Sequence, residues 1–252
     1  MMAALTFDDK YNLVSKYDIE KAVVDVCDNL YANKNKSIIT WRNCSEEDLW
    51  AEMVACILGS RVSYELARSC ISHLLSTNHL DYTQIIGDPI GSEQKIANEL
   101  SKSMFSNGNK SRRSKYPFSY SRAHYIVETA IGIYRTTTIK HILSHSISEK
   151  EARETISNTC LGIGYKQASL FLRNVGFSRN LAILDVHVLK YMALMDLVED
   201  KNIRTVSRKQ EYSKIEKILN DYAVSMNMPV PKMDLAIWVV MRLVSREGCI
   251  CQ

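Results

Sequence analysis

Lys166 stands in the run Cys160-Leu-Gly-Ile-Gly-Tyr-Lys166-Gln-Ala-Ser-Leu-Phe-Leu-Arg-Asn-Val-Gly176. Gly162 and Gly164 flank Ile163, a spacing that predicts a hairpin between two helices with Ile163 plugged into the core. Consecutive backbone N–H groups at such a helix N-terminus bind a phosphate without any side chain. Glycine at both positions lets a nucleic-acid backbone approach closely. A dinucleotide-binding fingerprint is the competing reading. It fails because no strand pattern precedes the glycines and Gln167 stands at the third glycine position.

In the first turn of the following helix, Lys166 lies near partial positive charge, which disfavours its ammonium form and favours the nucleophilic amine. Taken alone, the residue reads as a phosphate contact. Further on, Leu184-Asp185-Val186-His187-Val188 puts an aspartate at the cap of the next helix. A carboxylate facing the lysine could stabilise an oxocarbenium-like centre and help move the lysine proton, as amine attack at a sugar C1′ requires. His187 reads as a core histidine.

A second feature is charge. From Leu100 to Val127 there is no Asp or Glu, yet Lys102, Lys110, Arg112, Arg113, Lys115 and Arg122 are all basic. Residues 106–116 read as a polar loop between helices. A polyanion-binding footprint and a solvated basic loop are both open readings of it. A second basic cluster, Lys201 to Lys217, is diluted by Glu211 and Glu216 and reads as a solvated face.

Helix signals position these groups. Ser45-Glu46-Glu47-Asp48 opens a helix to Leu58, punctuated by Gly59. Ser148-Glu149-Lys150-Glu151 reads as a capping box leading to about Asn158. Ile163–Val175 reads as a helix closed by Gly176 at C′. Asp185 caps Val186–Met195, and helical spacing runs through 212–226 and 233–244. Gly87-Asp88-Pro89-Ile90-Gly91 reads as a turn. Strand patterns are scarce, so the expected fold is all-α.

Composition narrows the classes. The 252 residues are 46% hydrophobic with a net charge of only 32 − 28 = +4, which disfavours disorder. The most apolar tract, Leu235–Val244, contains Arg242 and is too short to span a membrane. The N-terminus shows no secretion signal, so the expected place is the cytoplasm or the nucleoid. Cysteines at 27, 44, 56, 70, 160, 249 and 251 form no C-x-x-C, and the reading is reduced, buried thiols with no metal site.

Leu161-Gly-Ile-Gly-Tyr-Lys166-Gln-Ala, followed by Asp185-Val-His187, resembles the signature of the helix-hairpin-helix DNA glycosylases. With Ala182-Ile-Leu-Asp185 included, it is most similar to the compact, archaeal-type 8-oxoguanine DNA glycosylase/lyases. Looser matches are Glu52-Met-Val-Ala-Cys-Ile-Leu-Gly-Ser-Arg61, Arg122-Ala-His-Tyr-Ile-Val-Glu128 and Met233-Asp-Leu-Ala-Ile-Trp238. They extend the resemblance over roughly residues 45–245.

The resemblance implies one glycosylase unit over 1–252, with two helical lobes and an active-site cleft between them. One lobe is contiguous over about 41–176; the other joins 1–40 with 177–252. It implies a monomer that needs no cofactor and acts on double-stranded DNA carrying a modified base. Lys166 would attack C1′ of a flipped-out nucleotide, giving a Schiff base and AP lyase activity. Asp185 would stabilise the developing charge. Gly162, Ile163, Gly164, Lys110, Arg112, Arg113 and Lys115 would hold the DNA. Asp234 and Trp238, at i and i+4 on one helix, would offer the base an edge partner and a stacking surface. Their structural alternative is a core tryptophan with Asp234 capping or solvated.

Leu161 replaces a frequent proline, a modest change. Two departures bear on the substrate: fourteen residues follow Trp238 where the compact enzymes end in a short tail with a terminal lysine, and the basic 106–116 loop is longer than a minimal member needs. Besides 8-oxoguanine, the alternatives are another modified base, such as glucosylated cytosine in phage DNA removed in antiviral defence, and a non-catalytic DNA-binding module.

Overall fold

The computed structural model describes residues 15–32, 40–105 and 113–246. Among them are twelve α-helices and one two-stranded antiparallel ladder, so the described residues are all-helical apart from that short ladder. The chain divides into two compact units, Ile38–Ser178, and Met1–Ser37 together with Arg179–Gln252.

The contiguous unit holds α2 (Glu46–Leu58), α3 (Tyr64–Ser76), α4 (Tyr82–Gly87), α5 (Pro89–Leu100), α6 (Ser119–Tyr134), α7 (Ile139–His145), α8 (Glu149–Thr159) and α9 (Tyr165–Asn174). Ser45 and Asp48 form a reciprocal capping box on α2. Ser148 caps α8, but Glu151 reaches past it to the Ile147 N–H at 2.7 Å, so the expected box is not closed. Pro89 begins α5 under the Asp88 cap, so the expected turn at 87–91 shrinks to one residue between two helices. Trp50 is buried, and its Nε1–H donates to the Leu80 carbonyl at 2.9 Å.

The basic stretch departs from the expected loop. β1 (Ser103–Phe105) pairs with β2 (Arg113–Lys115), Ser103 opposite Lys115 and Phe105 opposite Arg113. Alternation over three residues is too short to register as a strand pattern.

The other unit holds α1 (Lys16–Ala32), α10 (Val186–Leu194), α11 (Lys209–Ser225) and α12 (Val230–Arg246). Its interior carries a hydroxyl chain. Tyr191 and Tyr222 oxygens are 2.9 Å apart, and Tyr222 donates to Glu20 Oε1 at 2.8 Å. Buried thiols lie in both units. Burial pushes the Cys70 and Cys160 thiols up to about 12 and raises those of Cys27 and Cys56 as well. Among the described residues no helix is long and apolar enough to cross a membrane.

Candidate active site

The hairpin between α8 and α9 is built as its glycines require. Gly162 has φ +78°, a left-handed conformation that costs any other residue. Ile163 is 3% exposed and anchors the bend in the core. Gly164 is extended and caps α9, so the helix begins at Tyr165, two residues later than its sequence suggested. Its far end matches expectation. Gly176 (φ +69°) closes a Schellman motif in which the Phe177 N–H donates to the Leu172 carbonyl and the Gly176 N–H to Arg173.

One face of α6 supports the bend. The Tyr125 ring lies where a side chain at 162 would go, and Thr129 Oγ1 donates to the Leu161 carbonyl at 3.3 Å. A Cβ at Gly132 would stand 2.8 Å from the Thr159 carbonyl oxygen, so α6 and the end of α8 touch backbone to backbone. Arg153, 2% exposed, joins the two hairpin helices. It donates to Ser169 Oγ at 3.3 Å and stacks its guanidinium 4.6 Å from the Tyr165 ring centroid.

Lys166 emerges from this frame half-buried, and its Nζ has no acceptor or ion-pair partner among the described residues. Lys16, Lys102, Lys201 and Lys217 all pair with carboxylates. Gly164 supplies no side-chain cap, and the backbone N–H groups of Lys166 and Gln167 have no acceptor among the described residues. The Lys166 charge reaches α2: it opposes the upward push that burial and Glu52 give the Cys56 thiol.

Asp185 is delivered by a segment, 181–185, that has no regular secondary structure. Buried backbone groups need partners, and side chains of α11 and α12 supply them. Glu216 Oε1 accepts the Ala182 N–H at 3.1 Å, and Tyr212 donates to the Ala182 carbonyl at 2.9 Å while accepting the Leu184 N–H. Asp234 Oδ2 accepts the Ile183 N–H at 2.8 Å. Asp185 then caps α10, its Oδ1 accepting from His187 and Val188 at 2.9 Å each. Its Oδ2 takes no hydrogen bond among the described residues.

Asp234 therefore has a backbone task that its sequence position did not suggest. At 2% exposure it is neither solvated nor a cap, and it holds the backbone that leads to Asp185. Trp238 is half-exposed, not core, with the Arg242 guanidinium 4.9 Å from its ring centroid. His187 lies beside them on α10. Burial pulls its pKa down against the Asp185 carboxylate, and the Lys190 and Arg242 charges pull it further. Its Nδ1 is buried without a hydrogen-bond partner among the described residues.

Of the basic stretch, Lys110 and Arg112 lie outside the described residues; Arg113 sits on β2, and Lys115 there is exposed. Arg122 is committed internally: it stacks on Tyr125 and Phe118 and donates to the Ser60 carbonyl. Tyr212 escaped the sequence reading, and Arg242 entered it only as the charge inside an apolar tract. Glu216, read there as part of a solvated face, is buried and committed to the Ala182 N–H.

A glycine-cornered hairpin between two packed helices, with a lysine in the first turn after it, is the build of a helix-hairpin-helix protein. A family model described as 8-oxoguanine DNA glycosylase matches residues 32–228, and the chain belongs to that family. It is 40% identical over 121 residues to the 8-oxoguanine DNA glycosylase/AP lyase of Methanocaldococcus jannaschii, a match covering 48% of this chain and 55% of that protein. With the enzyme of the same description from Fusobacterium nucleatum it shares 28% identity across 88% of this chain and 92% of the relative. The solved M. jannaschii glycosylase aligns over 94% of this chain and 95% of its own, at TM-score 0.62 and 26% identity. That protein has also been solved in complex with a 15mer DNA containing 8-oxoguanine.

Proposed function

We propose that this protein is a DNA N-glycosylase with DNA-(apurinic or apyrimidinic site) lyase activity that removes 8-oxoguanine from double-stranded DNA. The observation that carries the reading is Lys166, an amine with no partner among the described residues, in the first turn after the Gly162–Gly164 bend of a chain of the 8-oxoguanine DNA glycosylase family. The relatives' glycosylase/AP lyase descriptions, and the M. jannaschii protein's complex with lesion-containing DNA, support the substrate.

The hairpin N–H groups, with Lys110, Arg112, Arg113 and Lys115, hold phosphates. The damaged nucleotide rotates out of the stack, and its base lies against Trp238. Deprotonated Lys166 Nζ bonds to C1′ as the glycosidic bond breaks, and the base departs with the bonding pair. Ring opening converts the aminal to a Schiff base, from which loss of the C2′ proton expels the 3′ phosphate. Asp185 Oδ2, the carboxylate oxygen its cap does not use, stabilises the positive charge at C1′. The steps draw on no cofactor, and the protein acts as a monomer in the cytoplasm or at the nucleoid.

Borohydride trapping tests the reading. The wild type is expected to form a covalent adduct with 8-oxoguanine duplex and Lys166→Gln none. Release of the free base by mass spectrometry identifies the substrate. DNA binding with neither adduct nor released base would leave only a phosphate-gripping module.

A further inference from the structure

We propose that Arg242 reads the edge of the extruded base and selects a purine with a carbonyl oxygen at C6. The inference rests on the glycosylase reading and sharpens its substrate class.

Trp238 and Arg242 are one turn apart on α12, and both are half-exposed. The guanidinium lies over the indole at 4.9 Å from the ring centroid, within cation–π range. An indole offers a larger flat surface than a guanidinium, so the cation covers part of it. A base stacked on the remainder shares the guanidinium's layer and meets its N–H groups edge to edge. α12, which carries both side chains, packs against α10, the helix that Asp185 caps.

The chemistry of that edge follows from the donor inventory. Arginine carries five N–H donors and no acceptor, so it can satisfy only an acceptor on the base. The O6 oxygen of a guanine-type base, with the O8 oxygen of its oxidised form, fits. The 6-amino group of an adenine-type base points N–H at N–H and is refused. Asp234, the carboxylate one turn before Trp238, could have accepted from an amino group, but it is buried and bonded to the Ile183 N–H. Arg242 therefore brings only donors to the base edge, and the preference for O6 over a 6-amino group comes from its side chain.

The test is single-turnover base release from duplexes carrying one 8-oxoguanine or one 8-oxoadenine, which differ at C6 in this respect. Wild type is expected to favour 8-oxoguanine. Arg242→Met should lower 8-oxoguanine release by about 10–100-fold, the scale of one good side-chain–base pairing, and leave 8-oxoadenine release near its wild-type rate. Arg242→Gln, whose amide oxygen accepts from an amino group, should raise 8-oxoadenine release, a gain that a poorly folded chain cannot produce. Equal losses on both substrates in Arg242→Met, or a substrate ratio within about threefold of wild type in both variants, would overturn the assignment. A wild type that releases neither base refutes the 8-oxoguanine reading on which the inference rests, which separates the two failures.

Discussion

The ring of Tyr125 occupies the space that a side chain on Gly162 would need, its Cδ2 2.3 Å from the position of a Cβ. Two costs therefore meet at one residue. Gly162→Ala forces a methyl into an aromatic ring, at about 1–3 kcal/mol for overpacking, and adds about 1–2 kcal/mol for the left-handed backbone. Denaturant unfolding should show both. Adding Tyr125→Ala should recover only the packing part, which a double-mutant cycle resolves as coupling.

Asp234 should matter to turnover without touching DNA. Asp234→Ala strands the partly buried Ile183 N–H and is expected to cost about 1–3 kcal/mol. The segment leading to Asp185 then loosens, so single-turnover excision should fall while duplex affinity holds. Asp234→Asn keeps an acceptor and should lose less on both counts. A larger loss in affinity than in excision would contradict the positioning role.

Asp185 separates capping from chemistry. Asn is as good an N-cap as Asp, so Asp185→Asn should unfold at nearly the wild-type midpoint and bind duplex normally. Its excision rate should drop by about 100-fold or more, the scale of a lost acid–base or charge-stabilising group. Asp185→Ala should show the same kinetic loss plus about 1 kcal/mol of instability from the missing cap.

Glu52 gives a pH signature. Burial raises its carboxyl pKa, opposed by hydrogen bonds from Asn174 and Cys56. A folded pKa above the unfolded one means the folded state holds the proton more tightly. Its contribution to stability is thus complete below the ordinary Glu pKa and is lost as pH rises through the raised value. Thermal unfolding from pH 4 upward should show this fall in wild type, and Glu52→Gln should flatten it. An unchanged profile would disprove the link.

The basic stretch makes a salt prediction. Neutralising Arg112 and Arg113 together should weaken binding to all duplex sequences alike. It should also reduce the slope of log affinity against log salt by about 2, one unit for each phosphate left without its arginine. A loss confined to 8-oxoguanine duplex would place these arginines at the lesion instead.

Much of this was legible in the residues. The two glycines fixed the hairpin because backbone geometry there admits little else, and Asp185 revealed its cap through sequence-adjacent N–H groups. The support of segment 181–185 was not legible. Its partners, Tyr212, Glu216 and Asp234, lie far along the chain on two other helices, and local pattern carries no information about such pairings. The backbone role of Asp234 was hidden for the same reason: a carboxylate one turn from a tryptophan gives no sign of the distant N–H it accepts from. The β1–β2 pairing was too short to announce itself.

Guanine is oxidised by the same reactive species that attack protein thiolates. Cysteine resists such species as the neutral thiol and succumbs as the anion. With Cys27, Cys56, Cys70 and Cys160 held in their protonated form by the core around them, these four sulfurs are poor targets for the peroxide that creates the lesion.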